Sequence, residues 1–178
     1  MKKVYVAYGW PEGKWHSKQL SEALTKAGYK LSNLPEKADV IIAHSAGCYM
    51  LPPDIKAQLI LLIGLPNWPN KLLIKCTIKK VALESKDKYW FQKTLFHVFY
   101  ALTQPIRLYN VYRTYKRKTL PKSNHVILVR NEQDTYMHDN VSQELAKQRK
   151  WSYKNLKGQH DDLWQNPHKY IEIIRIYI

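Results

Sequence analysis

Val40-Ile41-Ile42-Ala43-His44-Ser45-Ala46-Gly47 runs from an uncharged apolar stretch straight into a serine set between small residues. A continuous apolar run, here Asp39–His44, marks a strand buried on both faces of a parallel sheet. Ser45 has Ala43 two residues before it and Gly47 two residues after it. That is the setting of a nucleophile elbow, usually written G-x-S-x-G, with alanine in place of the first glycine. The turn is sharp and strained, so the hydroxyl projects above the sheet edge, and the positions on either side must be small. A helix starting at Ala46 would aim its positive end at the site, and the Ala46 N–H would be free to meet an oxyanion. By itself the octapeptide fits equally well a serine that merely caps a helix.

Working outward, the flanking segments supply a sheet. Lys3–Tyr8 alternates and is β-branched or aromatic, and Gly9-Trp10-Pro11-Glu12-Gly13 is a loop. Ser17–Ala27 carries Leu20, Ala23, Leu24 and Ala27 at helical spacing, with Ser17 as cap and Gly28 as stop. Tyr29–Leu34 suits a short strand, yet only four residues separate Leu34 from Asp39, and a parallel crossover needs about a dozen. Either this is no sheet strand or a crossover helix is lost. Ala57–Ile63 is a second buried run, and Val126–Arg130 a third. Asp139–Arg149 follows as a helix, Trp151–Leu156 as a strand and Pro167–Ile178 as a closing helix. The expectation is an α/β fold with a doubly wound, mostly parallel sheet of five or six strands. It forms one domain over 1–178, interrupted by a helical cap insertion at about 69–119.

Composition agrees. The 178 residues, 45% hydrophobic and 24% charged, suffice for one cored domain and exclude a disordered chain. The longest apolar run, Leu59–Leu65, is far short of the ~20 residues of a membrane span. Two cysteines, Cys48 and Cys76, make no disulfide framework, and no secretory signal is evident at the N-terminus. The expected location is cytoplasmic, with peripheral membrane contact left open.

The net charge is +15, and the middle carries it. Residues 71–122 hold thirteen basic groups against Glu84 and Asp87, net +11.

Two later segments complete the constellation begun at Ser45. Val126–Arg130 ends in Asn131-Glu132-Gln133-Asp134, and an acid just past a strand lies on the same sheet edge as Ser45. Gly158-Gln159-His160 then places a histidine between the last strand and the last helix. The order Ser45, Asp134, His160 is the serine–acid–histidine order of one architecture. Ser45 would attack a carbonyl, His160 would take and return its proton, and Asp134 would hold the imidazole tautomer. Cys48, three residues past Ser45, is expected to turn inward as core.

In these residues the sequence resembles the α/β-hydrolase superfamily, most closely the compact serine hydrolases of the retinoblastoma-binding-protein type. The matching residues are Ala43-His44-Ser45-Ala46-Gly47, Asp134, Gly158-Gln159-His160 and the early Tyr8-Gly9-Trp10 loop. The resemblance implies a reduced α/β-hydrolase fold, since the family's full sheet has eight strands. It also implies that Gly9 or Trp10 gives the second oxyanion N–H, Pro11 having none. Pro52-Pro53 cuts the elbow helix to barely two turns, a departure from the family.

His44 is expected to face a loop or pack beside the site, and His138 to stand behind Asp134. His16, His97, His125 and His168 fit no metal-ligand spacing, so neither metal nor cofactor is expected. The basic, aromatic insertion has three readings. It is a solvated face with a core stripe. Or it is a lid in which Trp90, Phe96 and Phe99 face Ser45 and an acyl substrate while lysines face an anionic membrane. Nucleic-acid binding is the weakest of the three, because no motif for it accompanies the charge. The reading is a serine hydrolase of esters, thioesters or amides. The alternative is a catalytically weak hydrolase-fold binding protein whose basic insertion binds anionic membrane or nucleic acid.

Overall fold

A computed structural model of the chain describes residues 1–9, 17–66 and 119–178 except 124 and 135. It also describes isolated helical positions at 99, 102, 103, 106, 109 and 113. The strands are β1 (Lys3–Ala7), β2 (Lys30–Leu31), β3 (Val40–His44), β4 (Leu59–Ile63), β5 (Val126–Asn131) and β6 (Ser152–Leu156). They form one six-stranded sheet, order β2-β1-β3-β4-β5-β6, with every neighbouring pair parallel. The helices are α1 (Lys18–Lys26), α2 (Asp139–Arg149), α3 (Asp162–Gln165) and α4 (His168–Tyr177). The expected cap at 69–119 lies for the most part outside the described residues.

The period-two alternation of the strands divides the core into two layers. Val4, Val6, Val40, Ile42, Leu61, Ile63, Ile127 and Val129 face Leu20 and Leu24 of α1 and Tyr170, Ile171 and Ile174 of α4. Ile41, Ala43, Ile60, Leu62 and Leu128 face the other way, onto Cys48, Tyr49, Ile55, Ala146 and Trp151. β3 and β4 are buried at every residue, which is why their sequences do not alternate. Each fully buried Leu or Ile contributes about 1.5–3 kcal/mol.

The conflict around Tyr29–Leu34 resolves in favour of a lost crossover helix. β2 is a true edge strand, pairing Lys3 with Lys30 and Val4 with Leu31, but it is only two residues long. So short a strand climbs little, and a 3₁₀ turn at Pro35–Lys37 suffices to carry the chain past β1 to β3. Asp39 fixes the landing: its N–H donates to Lys3 O at 2.9 Å, and its Oδ2 accepts the Lys3 N–H at 2.7 Å.

Two local expectations are corrected. The segment after Ser45 is a 3₁₀ run, Ser45–Met50, with no α-helix. Leu51 precedes Pro52 and is held extended, so helix cannot continue, and runs this short favour 3₁₀ geometry. Ser17 makes no side-chain cap to α1; its Oγ instead lies 3.1 Å from the Tyr8 hydroxyl, which donates to it.

Candidate active site

In a parallel sheet every strand ends on one edge, so the residues just past β1, β3, β4, β5 and β6 gather there. Ser45 follows β3 and has φ +53. Among the described non-glycine residues only Lys150 shares a positive φ. The left-handed region costs an ordinary residue about 1–2 kcal/mol, and such strain collects at functional turns. Gly47 is required by contact: a Cβ there would lie 2.5 Å from Ala7 O and 2.8 Å from Tyr8 C. The elbow therefore abuts the chain leaving β1, next to Gly9. With only a 3₁₀ run behind it, the Ala46 N–H would serve an oxyanion as a single donor, without the field of a long helix.

Asp134 and His160 are in direct contact. His160 Nδ1 lies 2.8 Å from Asp134 Oδ2; a carboxylate only accepts, so Nδ1 carries the proton. The other carboxylate oxygen, Oδ1, accepts the Tyr136 N–H at 2.8 Å, and the Tyr136 ring packs 4.8 Å from the imidazole. Both residues are buried, Asp134 at 5% exposure and His160 at 8%. This arrangement leaves Nε2 as the nitrogen able to take a proton from a nucleophile. Among the described residues the direct contact is the one between acid and histidine, and no hydrogen bond joins Ser45 Oγ to the His160 ring.

The loop carrying His160 is held at three successive carbonyls. Gly158 O accepts the Gln133 N–H at 3.0 Å, Gln159 O accepts Asn131 Nδ2–H at 2.7 Å, and His160 O accepts from His44 Nε2 at 2.8 Å. Asn131 is buried and its Oδ1 accepts the Tyr170 hydroxyl at 2.9 Å. Burial raises the Tyr170 phenol above its usual range, so that hydroxyl stays a donor.

Sequence reasoning missed three residues here, Gly64, Asn131 and Tyr136. Of the two placements expected for His44, packing beside the site is the one found: it is fully buried, 4.8 Å from the His160 ring and edge-on to Trp164 at 5.1 Å. Gly64, just past β4 at φ +58, packs against the histidine and the acid. Asn131 and Tyr136 flank Asp134 in sequence, and that proximity was the one available signal. His138 is exposed at the head of α2, where its carbonyl accepts the Ser142 N–H. Cys48 is fully buried, its thiol 3.2 Å from Ala43 O. Trp10, Trp90 and Phe96 lie outside the described residues, while Phe99 is 64% exposed at a helical position.

Ligand atoms of His44, His160 and Asp161 all lie within 4.8 Å of one another. His44 Nε2 and His160 Nδ1 already make hydrogen bonds, so a cation could meet these histidines only through the other ring nitrogen of each.

Solved structures share this architecture over 99% of the chain. An esterase from Pyrococcus furiosus matches with TM-score 0.59, 15% identity and 81% of its own length. The fold is that of the α/β-hydrolases. A hydrolase from Oleispira antarctica matches with TM-score 0.61, 12% identity and 91% of its length. The ydeN gene product of B. subtilis matches with TM-score 0.58, 13% identity and 98% of its length. No family model and no curated protein matches the sequence. Among the described residues no helix is long and apolar enough to cross a membrane.

Proposed function

We propose that the chain is a serine hydrolase that cleaves an ester, thioester or amide through an acyl-enzyme. The observation that carries the reading is the sheet edge itself. A serine strained to φ +53 follows β3, and a buried aspartate after β5 is bonded at 2.8 Å to a buried histidine after β6. Ser45 Oγ attacks the carbonyl carbon as His160 Nε2 takes its proton. Asp134 holds the ring with Nδ1 protonated and stabilises the imidazolium. The tetrahedral oxyanion meets the Ala46 N–H and an N–H from Gly9 or Trp10. His160 then gives its proton to the leaving group, and the acyl-serine remains. Water, deprotonated by His160, attacks that ester, and the acid and free serine are released. Every proton in the cycle is carried by this chain's own groups and water. Reaction with a fluorophosphonate, mapped by peptide mass spectrometry, tests the assignment.

A second reading is favoured by one observation. Phe99, Leu102, Ile106 and Tyr109 are helical and between 61% and 76% exposed, within a segment whose sequence carries the +11 charge. Apolar side chains facing water beside many lysines and arginines suit an anionic membrane surface better than nucleic acid. On this reading the protein docks on membranes and hydrolyses weakly or not at all.

A further inference from the structure

We infer that His44 is a positioning residue that ties the base to the strand bearing the nucleophile. The inference rests on the serine-hydrolase reading and adds a role which that reading does not contain. Of the three carbonyls that hold the histidine loop, two take donors from the acid side, Asn131 and Gln133. The third, on His160 itself, takes its donor from His44, the residue directly before Ser45. A carbonyl only accepts, so His44 Nε2 carries a proton. His44 has no freedom to drift: it ends β3, is fully buried, and is packed between the rings of His160 and Trp164.

The consequence is geometric. The Asp134 bond at Nδ1 fixes the tautomer and one edge of the imidazole. It does not fix the distance from the ring to β3. The bond from His44 to the His160 carbonyl sets that distance, because it joins the backbone of the base to the strand whose end presents the serine. Loosening it would let the base loop move away from Ser45 and admit water to the bond between acid and histidine. Displacement of about 1 Å in a reacting pair costs on the order of 100-fold in rate.

Two near-isosteric variants separate the donor from the packing. His44→Gln keeps an N–H donor at similar reach, and His44→Met fills similar space without one. The expected result is a kcat for His44→Gln within about threefold of wild type. His44→Met should fall about 10- to 100-fold in kcat with KM matching the Gln variant, and melt only a few degrees lower, the His160 carbonyl having lost its donor. A second readout is independent of turnover. The His160 Nδ1 proton, bonded to a carboxylate, gives a far-downfield NMR signal when its exchange with water is slow. It should persist in wild type and His44→Gln and broaden in His44→Met. Equal kcat and equal NMR signals in the two variants, or losses that simply follow melting temperature in both, would overturn the role. If wild type hydrolyses nothing and takes no fluorophosphonate, the functional reading fails, and the NMR comparison still decides whether His44 holds His160.

Discussion

Gly64 and His160 are packed so closely that a Cβ on Gly64 would lie 2.9 Å from His160 Cε1 and 3.0 Å from Nδ1. It would also lie 3.1 Å from Asp134 Oδ2. The glycine at the end of β4 is thus the wall against which the acid and the histidine rest. Gly64→Ala meets two penalties, a φ of +58 and a clash with the ring. The backbone term costs about 1–2 kcal/mol, and a chain of this size loses about 2–4 °C of melting temperature per kcal/mol. We expect a fall of a few degrees with a loss in kcat on the order of 100-fold, the ring being pushed off its position. Thermal melting and steady-state kinetics on one preparation check this; a variant with wild-type kcat would show that the wall does not constrain the ring.

Asp134, rather than Glu132, is the acid that orients His160. Asp134 Oδ2 holds the imidazole, whereas Glu132 is exposed and is bonded through its backbone N–H to Leu156 O and through its carbonyl to Arg130. Asp134→Asn should lower kcat about 10⁴-fold by releasing the tautomer, and Glu132→Gln should change it little. Kinetics with circular dichroism as a fold control decide it, and the reverse ranking would reassign the acid.

The bond between Tyr153 and Asp139 should give an acid-sensitive share of stability. The Tyr153 hydroxyl donates to Asp139 Oδ1 at 2.6 Å, joining the edge strand β6 to the first turn of α2. That bond, helped by Gln143, holds the Asp139 carboxyl below its usual value of 3.8. A depressed folded-state pKa stabilises the fold above the unfolded value and loses that contribution as pH falls through the folded one. Tyr153→Phe should therefore be less stable than wild type at pH 7, and the gap should narrow as pH falls through the lowered pKa of Asp139. Urea unfolding at neutral and at acid pH measures it; a gap unchanged in acid would separate the bond from the carboxylate's charge.

Membrane docking has its own test. Binding to vesicles should rise with anionic lipid and fall with added salt, since exposed charges are screened over ~10 Å at 0.1 M. Replacing Leu102 and Ile106 by Ser should weaken binding without loss of fold, both side chains being exposed. Binding indifferent to lipid charge and to salt would remove this reading.

The parts legible in the sequence were those with local signatures. β3 and β4 are unbroken apolar runs, and both are buried throughout. Gly28 stops α1 at φ +85, as a glycine after a helix should. β2 was ambiguous because both its side chains are exposed, so no hydrophobic pattern marked it. The 3₁₀ run after Ser45 was read as α-helix although Pro52 already forbade continuation beyond Leu51. Gly64 could not have been assigned from its neighbours, because its partners are Asp134 and His160, distant in the chain. His44 carried the same difficulty: a histidine before a serine says nothing about a carbonyl delivered by the last loop of the sheet.

The central claim is that Ser45 is the nucleophile and Cys48 is not. Cys48 is fully buried with its thiol toward Ala43 O, while Ser45 stands at the strained turn. The direct measurement is fluorophosphonate labelling of the native protein at neutral pH, with the modified peptide sequenced by mass spectrometry. The account predicts a single adduct on Ser45. Labelling should be abolished in Ser45→Ala, suppressed in His160→Ala and unchanged in Cys48→Ala, with each variant folded. A native protein that takes no label, or takes it on a residue other than Ser45, contradicts it.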